Sequence, residues 1–164
     1  MEIYIDVEWT LDQDVFLIGY AYTLRKKGQL YGKSLTKKNF LTLLEGVEFI
    51  FIYGPDIGML EKYFSIDIRQ EYKCINLLKI FRRYIPGLKS YKLAALEEMF
   101  GIKRTTKQYK QNIFTLFKDW RNPSKRRLCL KYNMEDVINL LIIKKKAFTK
   151  YNITRSQYSR SLLR

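Results

Sequence analysis

The first nine residues alternate between apolar and polar side chains with a period of two, which is the pattern of a β-strand with two different faces. One face carries Ile3, Ile5, Val7 and Trp9, and the other carries Glu2, Tyr4, Asp6 and Glu8. Asp6 and Glu8 therefore lie on one face, two residues apart. Adjacent carboxylates repel each other unless a cation lies between them. The pair is either a metal site of hard oxygen ligands on a rigid strand or a solvated face of an edge strand.

Turn signals and apolar runs predict alternating elements in the rest of the chain. Strands are predicted at 15–22, 29–35, 47–53 and 72–76, and helices at 37–45, 54–64, 77–84, 91–100, 108–120 and 126–148. A three-strand antiparallel meander followed by strands alternating with helices resembles the ribonuclease-H-like α/β fold. That fold has a mixed five-strand sheet with helices on both faces.

Composition indicates a basic domain that meets a polyanion. The chain has 164 residues, of which 47% are hydrophobic, enough for a real core. We expect a domain over residues 1–150 and a basic tail over 151–164 that frays or lies on a partner. The net charge of +15 favours nucleic acid as the partner over a membrane surface.

Several function classes are excluded by what the sequence lacks. There is no histidine, which rules out Ser-His-Asp and Cys-His sites, the common zinc sites and any nuclease with a histidine base. Cys74 and Cys129 are the only cysteines, and we expect two buried thiols. No apolar run is long enough to span a bilayer and no signal peptide is evident, so we expect an intracellular protein.

Carboxylates and a tyrosine lie on separate elements that a sheet of this kind would bring together at one site. A two-metal phosphodiester site needs three or four carboxylates from separate elements. Asp6 and Glu8 lie on the first strand, and Asp56 follows the buried strand 47–53. Tyr132 and Asp136 share one face of the last helix. Taken alone, Asp56 suits an ordinary helix start, and Tyr132 with Asp136 suits a packed tyrosine beside a surface acid; their joint occurrence favours a site.

These residues carry a resemblance to a known family. Asp6-Val-Glu8, Gly54-Pro-Asp56, Tyr132-x-x-x-Asp136 and the helical stretch 89–103 resemble the DEDD exonuclease superfamily, in its tyrosine-containing subclass. The most similar members are small domains related to the proofreading domains of family B DNA polymerases. The resemblance covers roughly residues 2–145. One departure is the second motif, Tyr53-Gly-Pro-Asp56, which is shorter than usual and lacks the family's asparagine, so Asp67 is the fallback ligand.

The resemblance implies a reaction and its cofactors. Two divalent ions, Mg²⁺ or Mn²⁺, would be held by Asp6, Glu8, Asp56 and Asp136. Tyr132 would orient the attacking water, and nucleotides would leave from a 3′ end. Hard oxygen ligands suit both metals. The alternatives on the same fold are a module that holds nucleic acid or a partner protein without catalysis, and a metal-dependent endonuclease or junction resolvase.

A basic segment follows the helix predicted at 91–100 and is interleaved with aromatic residues. We expect it to bind the phosphates of single-stranded DNA or RNA, through Lys103, Arg104, Lys107, Arg126 and Arg127. The aromatic residues Phe114, Phe117 and Trp120 are better explained as the core face of a helix. Phosphate contacts carry no sequence information, so we expect weak sequence preference. The composition, rich in Lys, Ile and Tyr, hints at an AT-rich microbial or viral genome.

Overall fold

A five-stranded mixed sheet forms the centre of the protein. In the computed structural model, which describes residues 1–106, 109 and 113–163, the strands are β1 (Glu2–Trp9), β2 (Val15–Ala21), β3 (Lys27–Tyr31), β4 (Phe49–Ile52) and β5 (Lys73–Asn76). Their order across the sheet is β3-β2-β1-β4-β5. The first three strands form an antiparallel meander, and β4 and β5 add to it in parallel. The predicted mixed five-strand sheet is confirmed.

β1 is the central strand, which decides between the two interpretations of its polar face. It pairs with β2 on one side and with β4 on the other. Asp6 and Glu8 are therefore not on an edge strand. Glu8 is buried and Asp6 is partly exposed, and an ionised carboxylate that is shielded from water needs a counter-charge.

The period-two alternation of β1 separates two apolar cores. Ile3, Ile5 and Val7 pack into one of them. Tyr4 packs into the other, where its ring stacks on that of Phe51 with centroids 5.2 Å apart. The buried strand β4 contributes to both cores, which explains its unbroken apolar run.

Helices pack on both faces of the sheet. Their bounds are α1 (Lys37–Leu44), α2 (Asp56–Phe64), α3 (Ile68–Glu71), α4 (Leu77–Tyr84), α5 (Leu93–Met99), α6 (Ile113–Arg121), α7 (Arg126–Lys150) and α8 (Arg155–Ser159), with a short 3₁₀ turn at Gly32–Ser34. Among the described residues, no helix combines the length and the apolarity needed to cross a membrane. Cys74 and Cys129 are both buried and free, as predicted.

The long helix α7 runs antiparallel to β1 in a matched register. The Lys144 ammonium donates to the Glu2 carboxylate at 2.9 Å, near the start of the strand. Asp136 lies eight residues earlier on the helix and reaches Asp6, four residues further along the strand. The eight residues from Asp136 to Lys144 span about 12 Å along the helix. The four residues from Glu2 to Asp6 span about 13 Å along the strand, so the two separations match. The ion pair therefore fixes which part of α7 faces the middle of β1.

Some boundaries differ from the predicted ones. The third strand ends at Tyr31, because Gly32 has a positive φ of 53° and opens the 3₁₀ turn. The short helix α3 was not predicted, since four residues carry no periodic signal. α5 begins at Leu93 instead of residue 91. The predicted helix 108–120 is observed from Ile113, and residues 107, 108 and 110–112 lie outside the described part of the chain.

Parts of the segment 151–163 pack on the core of the domain, whereas we expected the tail to fray or to lie on a partner. Ile153 and Tyr158 are buried, and the Tyr158 ring meets those of Phe49 and Phe51 edge-on. Leu162 forms a β-bridge with Ile75. The segment was expected to be loose because its composition is basic, but a few apolar residues anchor it to the core.

Candidate metal centre

Three carboxylates from β1 and α7 meet at one point. Asp6, Glu8 and Asp136 each offer a carboxylate oxygen, and these oxygens lie within 4.8 Å of one another. Glu8 and Asp136 are each only 6% exposed. The structure thus brings together three of the four predicted ligands, on a central strand and a long helix that are both rigid supports.

Asn133 holds Asp6 in place. Its side-chain Nδ2 donates to the Asp6 carboxylate at 2.8 Å and to the Asp6 backbone oxygen at 3.2 Å. Gln29 on β3 donates in turn to the Asn133 oxygen at 2.9 Å, which fixes the orientation of the amide. Asn133 was not predicted as a site residue, although it lies between Tyr132 and Asp136. The sequence signal was its position three residues before Asp136, on the same face of the helix, whereas its full burial is seen only in the structure.

Gly19 on β2 makes room for this amide. It pairs with Asp6 across the sheet, and a Cβ atom at this position would lie 2.2 Å from the Asn133 oxygen. The same Cβ would lie 2.7 Å from a methyl group of Val137. Only a residue without a side chain lets α7 approach the strands this closely.

Arg104 lies behind Asp136 and pairs with it. Its guanidinium also pairs with Glu97 on α5, so that one cation contacts two buried carboxylates. Asn139 donates to Glu97 at 2.8 Å and completes the group. The predicted phosphate contacts included Arg104, but its side chain is only 3% exposed because the carboxylates hold it inside the protein. Its Nη1 atom is buried without a hydrogen-bond partner.

Asp56 lies beside the three-carboxylate cluster but outside its 4.8 Å group. It begins α2, is 3% exposed, and its Oδ2 atom has no hydrogen-bond partner. Asn76 braces the preceding loop, since it donates to the Gly54 oxygen at 2.7 Å and accepts from the Gly54 N–H at 3.3 Å. The fallback residue Asp67 instead caps α3, where it accepts from the Gln70 N–H.

Tyr132 lines the same small pocket as Asp6 and Asp136. The pocket has a volume of about 230 Å³, and its lining includes Asp6, Tyr132, Asp136 and Arg104. The Arg104 guanidinium lies 4.9 Å from the centre of the Tyr132 ring, and the Tyr109 ring meets it edge-on. The tyrosine is therefore held from two sides with its ring beside the carboxylates.

The cluster is electrostatically strained. Burial raises the pKa values of Asp6, Glu8 and Asp56, and the neighbouring carboxylates raise them further. Burial also raises the pKa of Asp136 to about 6, although Arg104 opposes the shift. Burial and the nearby acids raise the pKa of the Tyr132 hydroxyl, which therefore stays protonated at neutral pH.

These residues fit a divalent cation. All the donors are carboxylate oxygens, the ligand type that Mg²⁺ and Mn²⁺ prefer. One buried oxygen of Asp56 is unsatisfied, and Arg104 is the only cation among the described residues that pairs with the cluster. A single arginine, which also pairs with Glu97, does not balance the charge of these carboxylates, and bound divalent cations would reduce the excess of negative charge.

The other predicted nucleic-acid contacts that the structure describes lie outside this cluster. Lys103 and Arg127 are exposed, while Lys107 lies outside the described residues. Arg126 is exposed but lies over the Trp120 ring, 5.1 Å from its centre. Trp120 packs into a small core, as predicted, whereas Phe114 is 59% exposed.

The comparison with protein families defines the class of the chain. Residues 3–148 match the model of the RNase_H superfamily, and the chain belongs to that superfamily. The five-strand mixed sheet is its ribonuclease-H-like fold. A comparison with curated proteins gave no significant match.

Solved structures that resemble this fold include nucleases. The family B DNA polymerase of the archaeon Pyrobaculum calidifontis matches with a TM-score of 0.73 and 16% identity, over 90% of this chain but only 24% of the polymerase. NrnC of Brucella melitensis matches with a TM-score of 0.68 and 14% identity, over 97% of this chain and 79% of NrnC. NrnC with bound Mg²⁺ matches with a TM-score of 0.64 and 13% identity, over the same shares. At these identities the likeness shows the fold.

Proposed function

We propose that the chain is a metal-dependent 3′–5′ exonuclease of single-stranded or fraying nucleic acid, in the tyrosine-containing subclass of the DEDD exonucleases. The observation that carries the proposal is the cluster of Asp6, Glu8 and Asp136 beside the unsatisfied oxygen of Asp56. The Mg²⁺-bound NrnC, which has the same fold, supports it.

The carboxylates would hold two divalent ions, Mg²⁺ or Mn²⁺. Asp6, Glu8 and Asp136 would supply the ligands that lie close together in the cluster, and Asp56 would add a ligand from the start of α2. Bound metal would supply a water of lowered pKa and stabilise the leaving oxygen. Because the metal would generate the nucleophile, the reaction needs no histidine.

The other residues would position the reacting groups. Asn133 keeps the Asp6 carboxylate turned toward the cluster through its 2.8 Å hydrogen bond. The protonated Tyr132 hydroxyl, which lines the same pocket as the carboxylates, would donate to the attacking water or to the scissile phosphate. Arg104 would hold Asp136 in place and neutralise part of the negative charge before metal binds.

The test uses 5′-labelled single-stranded DNA and RNA, incubated with Mn²⁺, Mg²⁺ or EDTA. The expected result is a ladder that shortens from the 3′ end, requires metal and disappears in Asp6→Ala. Asp12→Ala is the matched control, because Asp12 is an exposed acid on the neighbouring β1–β2 turn. Whether the DNA strand or the RNA strand is shortened shows if the protein prefers deoxyribose or ribose.

Other outcomes separate the alternatives. Discrete internal cuts would identify an endonuclease or junction resolvase. Binding without cleavage in every metal would identify a module that only holds nucleic acid. An Asp56→Ala variant with full activity would remove Asp56 from the ligand set and leave the other three carboxylates in their roles.

A further inference from the structure

A second and larger concavity lies on the other side of the residues that support the metal centre. It is a groove of about 860 Å³ between the start of β3, the segment after α5 and one face of α7. Its lining includes Lys27, Gln29, Lys103, Arg127, Lys131 and Glu135. We call this surface the α7 groove.

The α7 groove is positively charged. Lys103, Arg127 and Lys131 are exposed, and within the described part of the chain none of them forms an ion pair with a carboxylate. Lys27 donates to a backbone oxygen, that of Leu24, at 3.0 Å, and pairs with no carboxylate among the described residues. The cations of the groove are therefore available to an external anion.

The single acid in the lining is already engaged. Glu135 accepts hydrogen bonds from the N–H groups of Thr105 and Thr106, at 3.1 and 2.9 Å, and from both of their hydroxyls. These bonds lower the pKa of Glu135, although burial opposes the shift. Glu135 thus anchors the segment after α5 against α7, and its carboxylate is turned toward that segment.

The floor of the groove is the back of the metal centre. Gln29 lines the groove and donates to Asn133, which holds Asp6. Asn139 also lines the groove and donates to Glu97, which pairs with Arg104. A ligand in the groove therefore lies one layer of side chains away from the carboxylates and does not touch them.

We propose that the α7 groove binds the phosphodiester backbone of the nucleic-acid substrate, away from the end that is cleaved. This rests on the proposed function for the identity of the substrate. Exposed cations around an open groove suit a chain of phosphates, which they would hold without reading its sequence. The proposal adds Lys27 and Lys131 to the nucleic-acid contacts and moves the contact surface away from Arg104.

The test compares two double variants with equal loss of charge. Lys103→Gln/Lys131→Gln removes two groove cations, and Lys33→Gln/Lys38→Gln removes two exposed lysines outside the groove lining. Affinity for a long fluorescent single strand is measured by anisotropy in EDTA, so that no cleavage occurs. Each variant is measured across a range of salt concentrations, and its melting temperature checks the fold.

The groove variant should bind more weakly and with less dependence on salt. Two lost phosphate contacts reduce the slope of log K against log salt by about 1.4 for a single strand. At low salt this corresponds to roughly tenfold or greater loss of affinity. The control variant should keep the wild-type slope. Equal losses in both variants, or no loss in the groove variant, would overturn the proposal.

Hydrolysis of a dinucleotide, measured with Mn²⁺, adds a second readout. A dinucleotide bound at the carboxylates is too short to use the groove, so the groove variant should cleave it at the wild-type rate while cleaving the long strand more slowly. Equal loss on both substrates would indicate damage to the metal centre and overturn the groove assignment. If the wild-type protein cleaves nothing, the proposed function fails, whereas the binding measurement still decides whether the groove holds the strand.

Discussion

Asp136→Asn should stabilise the metal-free protein above neutral pH, while it abolishes cleavage. The folded protein raises the pKa of Asp136 from 3.8 to about 6, mainly through burial. A pKa unit corresponds to about 1.36 kcal/mol, so this shift of roughly two units penalises the ionised form by about 3 kcal/mol. The favourable ion pair with Arg104 is already contained in this net shift. Asparagine keeps the shape of the side chain and carries no charge.

The direction of the pH dependence follows from the raised pKa. The folded state holds the Asp136 proton more tightly than the unfolded chain does, so protonation contributes stability at low pH. That contribution is complete below pH 3.8 and is lost as the pH rises through about 6. The variant should therefore match the wild type in acid and exceed it in alkali. For a chain of this size, about 3 kcal/mol corresponds to a rise in melting temperature of roughly 6–12 °C.

The assay is thermal unfolding in EDTA, followed by circular dichroism on either side of pH 6. Asp119→Asn is the matched control, because Lys125 lowers the pKa of Asp119 and the same substitution should destabilise that site in alkali. Added Mg²⁺ should raise the melting temperature of the wild type and not that of Asp136→Asn. A lower melting temperature for Asp136→Asn than for the wild type, in EDTA and alkali, would refute the electrostatic argument.

Three further substitutions test the framework around the carboxylates. Gly19→Ala places a methyl group against Asn133 and should lower the free energy of unfolding by about 1–3 kcal/mol and weaken Mn²⁺ binding. Titration calorimetry measures the Mn²⁺ affinity, and an unchanged affinity would show that the close approach of α7 to β2 is not needed for the metal site. Tyr132→Phe should slow cleavage by roughly tenfold or more while Mn²⁺ affinity is retained; an unchanged rate would remove the hydroxyl from the reaction. Lys144→Met removes the ion-pair partner of Glu2, which keeps the hydrogen bond from the Tyr4 hydroxyl. The substitution should lower the free energy of unfolding by about 1–2 kcal/mol, less than for a fully buried pair because Glu2 is partly exposed. Chemical denaturation measures this loss, and wild-type stability in Lys144→Met would show that the pair does not hold α7 on β1.

The elements of the sheet could be predicted from local patterns, and the meeting of Asp6 and Glu8 with Asp136 was expected from those patterns together with the resemblance to the ribonuclease-H-like fold. The alternation in β1 places Asp6 and Glu8 on one face, and the helical spacing of Tyr132 and Asp136 turns both toward it. The apolar run of β4 predicts a buried strand, and in the structure that strand places β1 at the centre of the sheet. The assignment of a residue to one face of a strand or helix needs only the period of the element, whereas the packing of the last helix on β1 was inferred from the resemblance to the fold.

The supporting residues could not be predicted in the same way. Arg104 carries the same charge as the exposed Lys103 beside it, and only the packing of α5 against α7 reveals that two carboxylates bury it. The role of Gly19 depends on an atom of Asn133, far away in sequence. Such contacts are set by tertiary geometry, for which a single sequence carries no periodic signal.

The register between α7 and β1 sets a limit on how this protein can change in length. One inserted or deleted residue within 137–143 would rotate the earlier part of α7 by about 100° relative to the Lys144 anchor. Asp136 would then leave the cluster, even if every side chain of the site were retained. The turn between β1 and β2 is exposed and lies outside this register, so it can absorb length changes. Viable insertions and deletions should therefore be found in that turn and be absent between Asp136 and Lys144.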